Sequence, residues 1–374
     1  MTKKPVKIVY IISNINKAIA FEWIAEELNK TKFELNFVLL NPKESYLEEY
    51  LNKLNINVKR INYNSKRDIP LSILRVIYFL LLNKPSVVHT HLFDASFIGL
   101  IAAKLCGIKK RIYTRHYSTY HHDFFPNAVK WDKLNNKFAT RIIAISEVVK
   151  DVLISKEGVG PEKISLVYHG FKLNKFSEYD NDVIEKLKSK YNPTNKRPVI
   201  GVISRFTELK GIQFIIPAFS KLLNQYPNAL LLLFNASGDY EKEINKLLSE
   251  LPKETYLKVV FENEITSIYH LFDVFIHVPI NDTIEAFGQT YIESMASGIP
   301  LIATKSGIGN EILINNDNSI VVPYKNSEAI YKAIVLLIND SALKIKSTNN
   351  AKNTVAQKFE LHLMIEKLES IYLQ

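Results

Sequence analysis

Two acidic side chains eight positions apart mark the segment with the clearest capacity for chemistry. Glu285 ends a polar loop, Gly288 marks a turn, and Glu293 lies about a turn inside a predicted helix. This spacing brings both carboxylates to one place, with the backbone amides of Phe287, Gly288 and Gln289 directed between them. Carboxylates accept hydrogen bonds from the hydroxyl pairs of a sugar or ribose, and free amides can hold hydroxyls or phosphate oxygens. The alternative is that Glu285 caps the helix and Glu293 is an ordinary helical residue.

A pair of cations follows a predicted strand over residues 198–204. Arg205 and Lys210 flank a short polar stretch, and Gly211 opens the next predicted helix. Fixed cations and a helix N-terminus at the carboxyl end of a strand would give a diphosphate both charge and amide donors. The alternative is ordinary surface charge.

Histidines end two further predicted strands. His116 follows the strand predicted over 111–114, where a ligand-facing residue belongs. His89 and His91 flank Thr90 at another strand end. Alternating histidines can ligate a metal, but no cysteine or carboxylate cluster accompanies them in the sequence. We therefore expect a structural role for this pair, or a place for His91 in the lining of a cleft.

Short β-rich apolar runs alternate with longer amphipathic runs along the chain. Val6–Ser13 is strand-like, and Ile19–Leu28 has helical spacing. After a polar interruption the alternation restarts with the strand-like Pro198–Ser204. Alternation of this kind predicts the α/β fold class, with two sequential doubly wound parallel sheets covered by helices. Such sheets bind ligands at the carboxyl ends of their strands.

The length of 374 residues predicts two domains. We place the first at residues 1–172 and the second at 198–350. The polar segment 173–197 is interpreted as a linker with one exposed helix. Residues 351–374 are predicted to form a C-terminal helix that packs back toward the first domain.

Composition and apolar runs bear on the compartment. Cys106 is the single cysteine, so no internal disulfide forms, and a reducing compartment fits best. Met1–Val6 leads straight into a strand-like run, so we expect no secretory signal. Leu71–Leu82 is apolar but is interrupted by Arg75 and, at 12 residues, falls short of a membrane span, so it predicts a buried helix. We expect cytoplasmic localisation.

The net charge of +10 is unevenly distributed. Residues 1–175 carry 28 Lys+Arg and 15 Asp+Glu, a balance of +13, and the remainder carries 20 and 23, a balance of −3. A basic half indicates an anionic partner, namely a membrane surface, a phosphorylated lipid or a nucleic acid. The alternative is a well-solvated, lysine-rich surface.

The acidic segment and several others together resemble family 4 of the retaining glycosyltransferases. That family has a Glu-x7-Glu stretch that runs into a Gly-x-Pro turn, as do Glu285, Glu293 and Gly298–Pro300. Further matching segments follow the family's order between about residues 85 and 311: Val87–His91, Thr114–His116, Ala144–Glu147, Val167–Phe171, Arg205 with Lys210-Gly211, and Leu271–Val274. The resemblance implies the GT-B architecture, in which two Rossmann-like domains face each other across a cleft.

The resemblance also implies a donor site in the second domain. Arg205 and Lys210 would hold the diphosphate of a nucleotide-sugar, and Glu293 would take the ribose hydroxyls. Glu285, with the backbone of Phe287–Gln289, would face the transferred sugar. It implies retention of anomeric configuration, no required metal and no cofactor, with a UDP-sugar favoured over a GDP-sugar as the donor substrate. Asp180-Asn181-Asp182 matches a metal-binding motif of another glycosyltransferase fold, but it lies in the polar linker, so we expect no metal there.

The acceptor side is expected in the first domain. The resemblance places His116 near the reacting centre. The loop after the first strand lacks the family's usual glycine pair, which makes close backbone approach to a ligand harder. Asn16 and Lys17 would substitute with side-chain donors, and His91 and Arg115 are expected to line the same cleft.

The sequence therefore predicts a hexosyltransferase for polysaccharide, cell-envelope or lipid-linked acceptors, with peripheral association at an anionic membrane. One alternative keeps the fold but changes the reaction to epimerisation of a nucleotide-sugar. Another is a basic nucleic-acid-binding protein, but no recognition motif supports it, so we expect no nucleic-acid partner.

Overall fold

The computed structural model describes residues 4–374 and divides them into two compact units. One unit runs to Phe171 and also includes Leu361–Gln374, and the other is Lys172–Glu360. Residues 1–3, which open the predicted first domain, lie outside the described residues.

The first unit is built on a parallel sheet. Its strands are β1 (Val6–Ser13), β2 (Phe33–Leu40), β3 (Asn57–Ile61), β4 (Val87–His91), β5 (Lys110–Arg115), β6 (Arg141–Ala144) and β7 (Ile164–Leu166). They are ordered β3-β2-β1-β4-β5-β6-β7, so the order reverses between β1 and β4. Tyr10 of β1 lies beside Phe37 of β2 and His89 of β4. Both faces of the central strands are buried, which is why they read as continuous apolar runs.

Helices cover this sheet. They are α1 (Ile19–Glu27), α2 (Tyr46–Lys53), α3 (Ile69–Asn83), α4 (Phe93–Leu105), α5 (Tyr120–Phe124), α6 (Val129–Phe138) and α7 (Glu147–Asp151). Shorter 3₁₀ turns span Lys66–Asp68, Pro126–Ala128 and Pro161–Lys163, and a π turn spans Val152–Lys156. Val76 and Leu80 of α3 pack with Ile98 of α4 in the core beneath them.

The second unit repeats the architecture. Its strands are β8 (Val199–Ile203), β9 (Leu230–Phe234), β10 (Tyr256–Val259), β11 (Val274–His277), β12 (Leu301–Ala303) and β13 (Ile320–Val321). They form a parallel sheet in the order β10-β9-β8-β11-β12-β13. Its helices are α8 (Asn174–Ser177), α9 (Asn181–Tyr191), α10 (Ile212–Leu223), α11 (Glu241–Leu248), α12 (Ile265–Ile268), α13 (Gln289–Ser297), α14 (Gly309–Ile312), α15 (Ser327–Asn339) and α16 (Ser341–Phe359), with 3₁₀ turns at Glu208–Lys210, Lys253–Thr255 and Tyr269–Leu271. The predicted fold class is confirmed, since each unit is a doubly wound α/β sheet.

The boundaries differ from those drawn on the sequence. The segment 173–197, interpreted as a linker, belongs to the second unit, because α9 buries Ile184, Leu187 and Tyr191. The final segment, predicted as one helix, is divided at Glu360. The preceding helix stays in the second unit, and α17 (Leu361–Leu373) belongs to the first.

The prediction that Leu71–Leu82 is a buried helix is wrong for half of its surface. Val76, Phe79 and Leu80 of α3 are buried, but Leu74, Tyr78 and Leu81 are exposed. The apolar run continues around the helix, so periodicity alone could not separate the inner face from the outer one. Across residues 4–374, no helix combines the length and apolar character needed to cross a bilayer.

Candidate active site

The polar side chains of the second unit gather where its strand order reverses. That point lies at the carboxyl ends of the neighbouring strands β8 and β11. Arg205 follows the first of these strands, and His277 is the last residue of the second. In open α/β sheets such a reversal leaves a crevice in which ligands bind.

Three side chains meet at this edge. Lys210 Nζ forms an ion pair with Glu285 Oε1. On the other side, His277 Nε2 lies 3.2 Å from the same carboxylate oxygen. The Glu285 backbone N–H donates to Ser306 Oγ at 3.1 Å, which ties Glu285 to the loop after β12. The predicted grouping of Lys210 with Glu285 is therefore present, and the reading of Glu285 as a helix cap does not hold, because Gly288 occupies the N-cap position of α13.

The two loops that carry Lys210 and Glu285 are joined through their backbones. The Ile280 N–H donates to the Leu209 carbonyl at 3.1 Å. Gly211 has φ +73, and a Cβ built on it would lie 1.9 Å from the Val278 carbonyl oxygen. Only glycine allows this combination of positive φ and close approach, so the sequence Lys210-Gly211 sets the separation of the two loops.

The charge on Glu285 is held by its neighbours. Glu285 is 8% exposed, and burial alone would raise its pKa. The Lys210 ammonium, assisted by His277, outweighs burial and holds the pKa of Glu285 well below its usual range. Burial lowers the pKa of His277, so this imidazole is neutral near pH 7. The site thus presents an anionic carboxylate beside an ammonium that has further donors to offer.

Glu293 belongs to the helix that follows the Glu285 loop. It lies on α13 and accepts a hydrogen bond from Tyr269 Oη at 2.6 Å. Burial raises the pKa of Glu293, and the tyrosine hydroxyl opposes that rise. With one oxygen occupied by Tyr269, the other is left as an acceptor for a hydroxyl pair.

The start of α13 is shaped by a glycine. Gly288 has φ +90, and a Cβ on it would meet the Tyr291 ring at 2.6 Å. The Phe287 carbonyl accepts from Ile308 N–H at 2.9 Å, which ties this turn to the loop before α14. Gln289 opens the helix, and the predicted amide donors Phe287, Gly288 and Gln289 follow Glu285 closely in sequence. The next part of the turn is already closed, because the Tyr291 N–H donates to the Gly288 carbonyl at 3.1 Å.

Arg205 follows the carboxyl end of β8, and its backbone is held in place by hydrogen bonds of the next residue. Its neighbour Phe206 is buried and is tied on both sides, donating to the Ser237 carbonyl and accepting from Tyr240 N–H, each at 2.9 Å. Arg205 itself is exposed, and within residues 4–374 its guanidinium takes part in no ion pair. A fixed backbone with an available guanidinium suits a doubly charged ligand.

The first unit places histidines at the carboxyl edge of its own sheet. His116, just beyond β5, has Nε2 3.1 Å from Nδ1 of His91, the last residue of β4. The His169 ring stacks on His116 with centroids 5.6 Å apart. His91 is only 4% exposed, so it contacts His116 from a buried position and does not line an open surface.

A deeper chain of hydrogen bonds runs below these rings. His89 Nδ1 and Tyr372 Oη are 2.8 Å apart, and His89 Nε2 is 2.8 Å from Thr114 Oγ1. Tyr372 belongs to α17 and also contacts the hydroxyl of Tyr10. Burial lowers the pKa of both His89 and His116 to about 3 and that of His169 to about 4. The imidazoles are therefore neutral hydrogen-bonding groups at pH 7.

These depressed pKa values make the first unit acid-sensitive. Unfolded histidines bind protons near pH 6.5, whereas these folded imidazoles resist protonation until about pH 3 to 4. Between about pH 4 and pH 6.5 the unfolded state therefore binds more protons than the folded state. These histidines make their full contribution to the free energy of unfolding above about pH 6.5, and that contribution falls as the pH drops toward 4. Each imidazole contributes up to about 1.4 kcal/mol per pH unit.

Urea unfolding followed by tryptophan fluorescence measures this slope. Both tryptophans, Trp23 and Trp131, lie in the first unit, so the signal reports on that unit. His89→Asn should reduce the slope by about one proton, while the exposed control His362→Gln should leave it unchanged. Equal stability at about pH 5 and pH 7.5 would contradict the prediction.

The structure contradicts the prediction that Arg115 lines the acceptor cleft. Its side chain is fully buried between Asp132, at 3.2 Å, and Glu157, at 2.6 Å. Its Nε donates to the Tyr117 carbonyl at 3.0 Å. The cause is that successive side chains along a strand point to opposite faces of the sheet, so Arg115 at the end of β5 and His116 after it do not lie on the same face.

The loop after β1 keeps its predicted side chains at the surface. Asn16 and Lys17 are exposed. Asn16 is used structurally, because its carbonyl accepts from Leu47 N–H at 2.9 Å at the start of α2. In the second unit, Asp180 of the Asp-x-Asp sequence caps α9 by accepting from Asp182 N–H at 2.8 Å.

Sequence reasoning missed His277, Ser306 and Tyr269. Of these, only His277 had a usable signal, since it lies near the end of the strand predicted over Val274–Val278, which leads into the loop before Glu285. Ser306 and Tyr269 reach the two glutamates from distant segments, and nothing in local spacing indicates such a contact.

Comparison with known proteins agrees with this geometry. The family model described as Glycosyltransferase Family 4 matches residues 23–175, and that described as Glycosyl transferases group 1 matches residues 183–354. The capsular polysaccharide biosynthesis glycosyltransferase CapM of Staphylococcus aureus is 29% identical over 365 residues, covering 93% of this chain and 91% of the relative.

Two further proteins are similar over nearly the whole chain. The UDP-Gal:alpha-D-GlcNAc-diphosphoundecaprenol alpha-1,3-galactosyltransferase of Escherichia coli is 22% identical and covers 98% of this chain and 95% of the relative. Among solved structures, Anabaena Alr3699/HepE in complex with UDP and glucose superposes with a TM-score of 0.84 at 20% identity, covering 98% of both chains. With two matched glycosyltransferase models, one on each side of the boundary near residue 172, and with two doubly wound sheets, the chain belongs to the GT-B glycosyltransferases of the family 4 type.

Proposed function

We propose that this glycosyltransferase moves a sugar from a nucleotide-sugar to a polysaccharide, cell-envelope or lipid-linked acceptor, with retention of anomeric configuration. The observation that carries the proposal is the contact of Lys210 with Glu285 at the reversal point of the second sheet. It joins a cation suited to a diphosphate with a carboxylate suited to a sugar.

The leaving group explains the cations. As the bond from the anomeric carbon to the diphosphate breaks, negative charge grows on the phosphate oxygens and the sugar acquires oxocarbenium character. Lys210 can keep one N–H on Glu285 and direct others to the diphosphate, because an ammonium has three donors. Arg205 adds a planar fork of donors. Stabilising the charge that develops is the largest contribution such a site makes.

The two carboxylates would bind the sugar and the ribose of the donor, respectively. Glu285, held anionic by Lys210, would accept from hydroxyls of the sugar, with amide donors from Phe287–Gln289 beside it. Glu293, steadied by Tyr269, would accept from the ribose hydroxyls. In the first unit, His116 would serve the reacting sugar as a neutral hydrogen-bonding group. No step in this scheme calls on a metal.

The donor and acceptor classes are supported by the relatives. The Escherichia coli relative is named for a UDP-sugar donor and a diphosphoundecaprenol-linked acceptor, and the Staphylococcus aureus relative for capsular polysaccharide synthesis. The Anabaena structure holds UDP. We therefore favour a UDP-sugar donor. The matched models and these relatives are transferases, so an epimerase is not favoured.

A thermal-shift screen across UDP-, GDP-, ADP- and CDP-sugars tests the donor. A selective ligand raises the melting temperature because it binds only the folded state. The anomeric configuration of the product, read by NMR with the selected donor, then tests retention. An inverted product would contradict the stereochemical part of the proposal.

Replacing Glu293 with alanine is expected to weaken nucleoside diphosphate binding by about tenfold to a hundredfold. The reason is the loss of hydrogen bonds between ribose hydroxyls and a charged acceptor, worth about 1.5–3 kcal/mol. Isothermal calorimetry measures the change. The control is Glu328→Ala, which removes an exposed glutamate of the same unit that pairs with Lys221. Equal affinity in wild type and Glu293→Ala would remove the ribose role.

A further inference from the structure

Helix α3 exposes a continuous apolar face on the first unit. Five large side chains on its outer side are between 50% and 67% exposed: Leu71, Leu74, Tyr78, Leu81 and Leu82. At 100° per residue they fall on one side of the helix, opposite the buried Val76, Phe79 and Leu80. We call these five residues the outer face of α3.

The fold does not need this face. The inner side of α3 already packs on α4 and the sheet core, so the outer leucines add nothing to that packing. An ordinary surface helix carries polar residues outward, and a contiguous exposed apolar patch marks an interaction site.

Cations surround the outer face. Lys66 and Arg67 precede α3, Arg75 lies on its exposed side, and Lys84 follows its end. Lys84 also shares a shallow depression with Leu81 and Lys109. Within residues 4–374, none of these five cations forms an ion pair within 4.0 Å. The one acid at the helix start, Asp68, is occupied by the backbone N–H groups of Asn64 and Ser65.

We infer that the outer face of α3 docks on a lipid bilayer with anionic headgroups. A helix with apolar side chains outward and lysine or arginine at its rim lies in the plane of the interface, with its leucines at the acyl boundary and its cations among the phosphates. A second copy of the chain fits less well, because pairing two such faces would bring two sets of unpaired cations together.

The docking face bears on the proposed function through the acceptor. It would hold the first unit, on which the acceptor residues are expected, against the membrane in which a lipid-linked acceptor resides. Only this link to a lipid-linked acceptor rests on the proposed function. Docking itself requires no donor, acceptor or turnover, so it can be measured in their absence.

Vesicle co-sedimentation tests the inference on the full chain. We expect binding to vesicles of equimolar phosphatidylcholine and phosphatidylglycerol, and weak binding to pure phosphatidylcholine. Leu74→Gln/Leu81→Gln should weaken binding at least about tenfold, because two exposed leucines no longer enter the interface. Lys66→Gln/Arg67→Gln/Lys84→Gln should weaken it about a hundredfold and remove most of its salt dependence.

The matched control is Leu336→Gln/Ile345→Gln. These exposed apolar residues lie on α15 and α16 of the second unit, so the control removes the same kind of surface elsewhere. Absence of binding by the wild type, or equal loss in the control, would overturn the inference. The inference would also be overturned if sedimentation velocity showed that the wild type is a dimer and that Leu74→Gln/Leu81→Gln is a monomer. Nucleoside diphosphate affinity of the same preparations reports separately on the donor site, so failure of docking and failure of the proposed function can be told apart.

Discussion

Replacing Lys210 with alanine is expected to lower the turnover number about 10²–10³-fold, the range seen when one donor to a developing negative charge is removed. Affinity for the nucleoside diphosphate should fall less than the turnover number does. The charge on the departing diphosphate is greater in the transition state than in the bound donor, so Lys210 acts mainly on the step in which the bond breaks.

The variant has a second effect that separates this role from simple charge attraction. Without Lys210, burial would dominate at Glu285 and raise the pKa of that carboxyl, because its main counter-charge is gone. We therefore expect the rate of Lys210→Ala to depend on pH in a range where the wild type does not. Initial rates across pH, with the donor selected by thermal shift, measure both effects.

The control for Lys210 is Lys221→Ala. Lys221 belongs to the same unit but pairs with Glu328 at an exposed site, where an ion pair contributes little. A turnover number for Lys210→Ala within about threefold of the wild type would show that Lys210 does not serve the leaving group.

Replacing Arg115 with methionine is expected to lower the free energy of unfolding of the first unit by about 3–5 kcal/mol. The guanidinium lies between the fully buried carboxylates of Asp132 and Glu157. It also stacks 3.7 Å from the Tyr117 ring centroid. Removing it leaves two buried acids without their cation, whereas methionine keeps most of the volume.

Tryptophan fluorescence during urea unfolding reports on this unit alone, since both tryptophans belong to it. Arg60→Met is the matched control, because Arg60 also binds two glutamates, Glu44 and Glu48, but at a more exposed site, so a loss of about 1 kcal/mol or less is expected. Adding Asp132→Asn and Glu157→Gln to Arg115→Met should restore part of the lost stability, since no uncompensated charge remains. Equal midpoints for Arg115→Met and Arg60→Met would refute the structural role.

The fold could be predicted because local patterns carry it. Parallel strands buried on both faces give unbroken apolar runs, and the helices between them keep their own period. Where a pattern was not local, prediction failed. Apart from Ser72 and Arg75, Leu71–Leu82 has apolar residues on every side of its helix, and only the packed neighbours determine that Leu74 and Tyr78 face outward. The segment around α9 is polar in sequence, yet three buried residues hold it to the second unit.

Some residues of the candidate site could likewise be predicted from the sequence, and others could not. Lys210 and Glu285 could be paired from sequence, because each follows a strand whose carboxyl end lies at one sheet edge. His277, Ser306 and Tyr269 reach the glutamates from separate segments, and their contacts depend on loop geometry. Arg115 was misplaced because adjacent residues at a strand end look equivalent in sequence, although one faces the core and the next the edge.

The return of α17 to the first unit has a consequence for synthesis. Tyr372 Oη reaches both Tyr10 and His89, and Glu369 accepts from Asn29 N–H at 2.9 Å. A nascent chain emerging from the ribosome cannot form these contacts until the whole of Lys172–Glu360 has been made. The second unit, by contrast, is contiguous and has all its residues available earlier. The unit whose translation begins earlier is therefore the one completed later, and its β1–β4 core waits for a helix that is translated after the second unit.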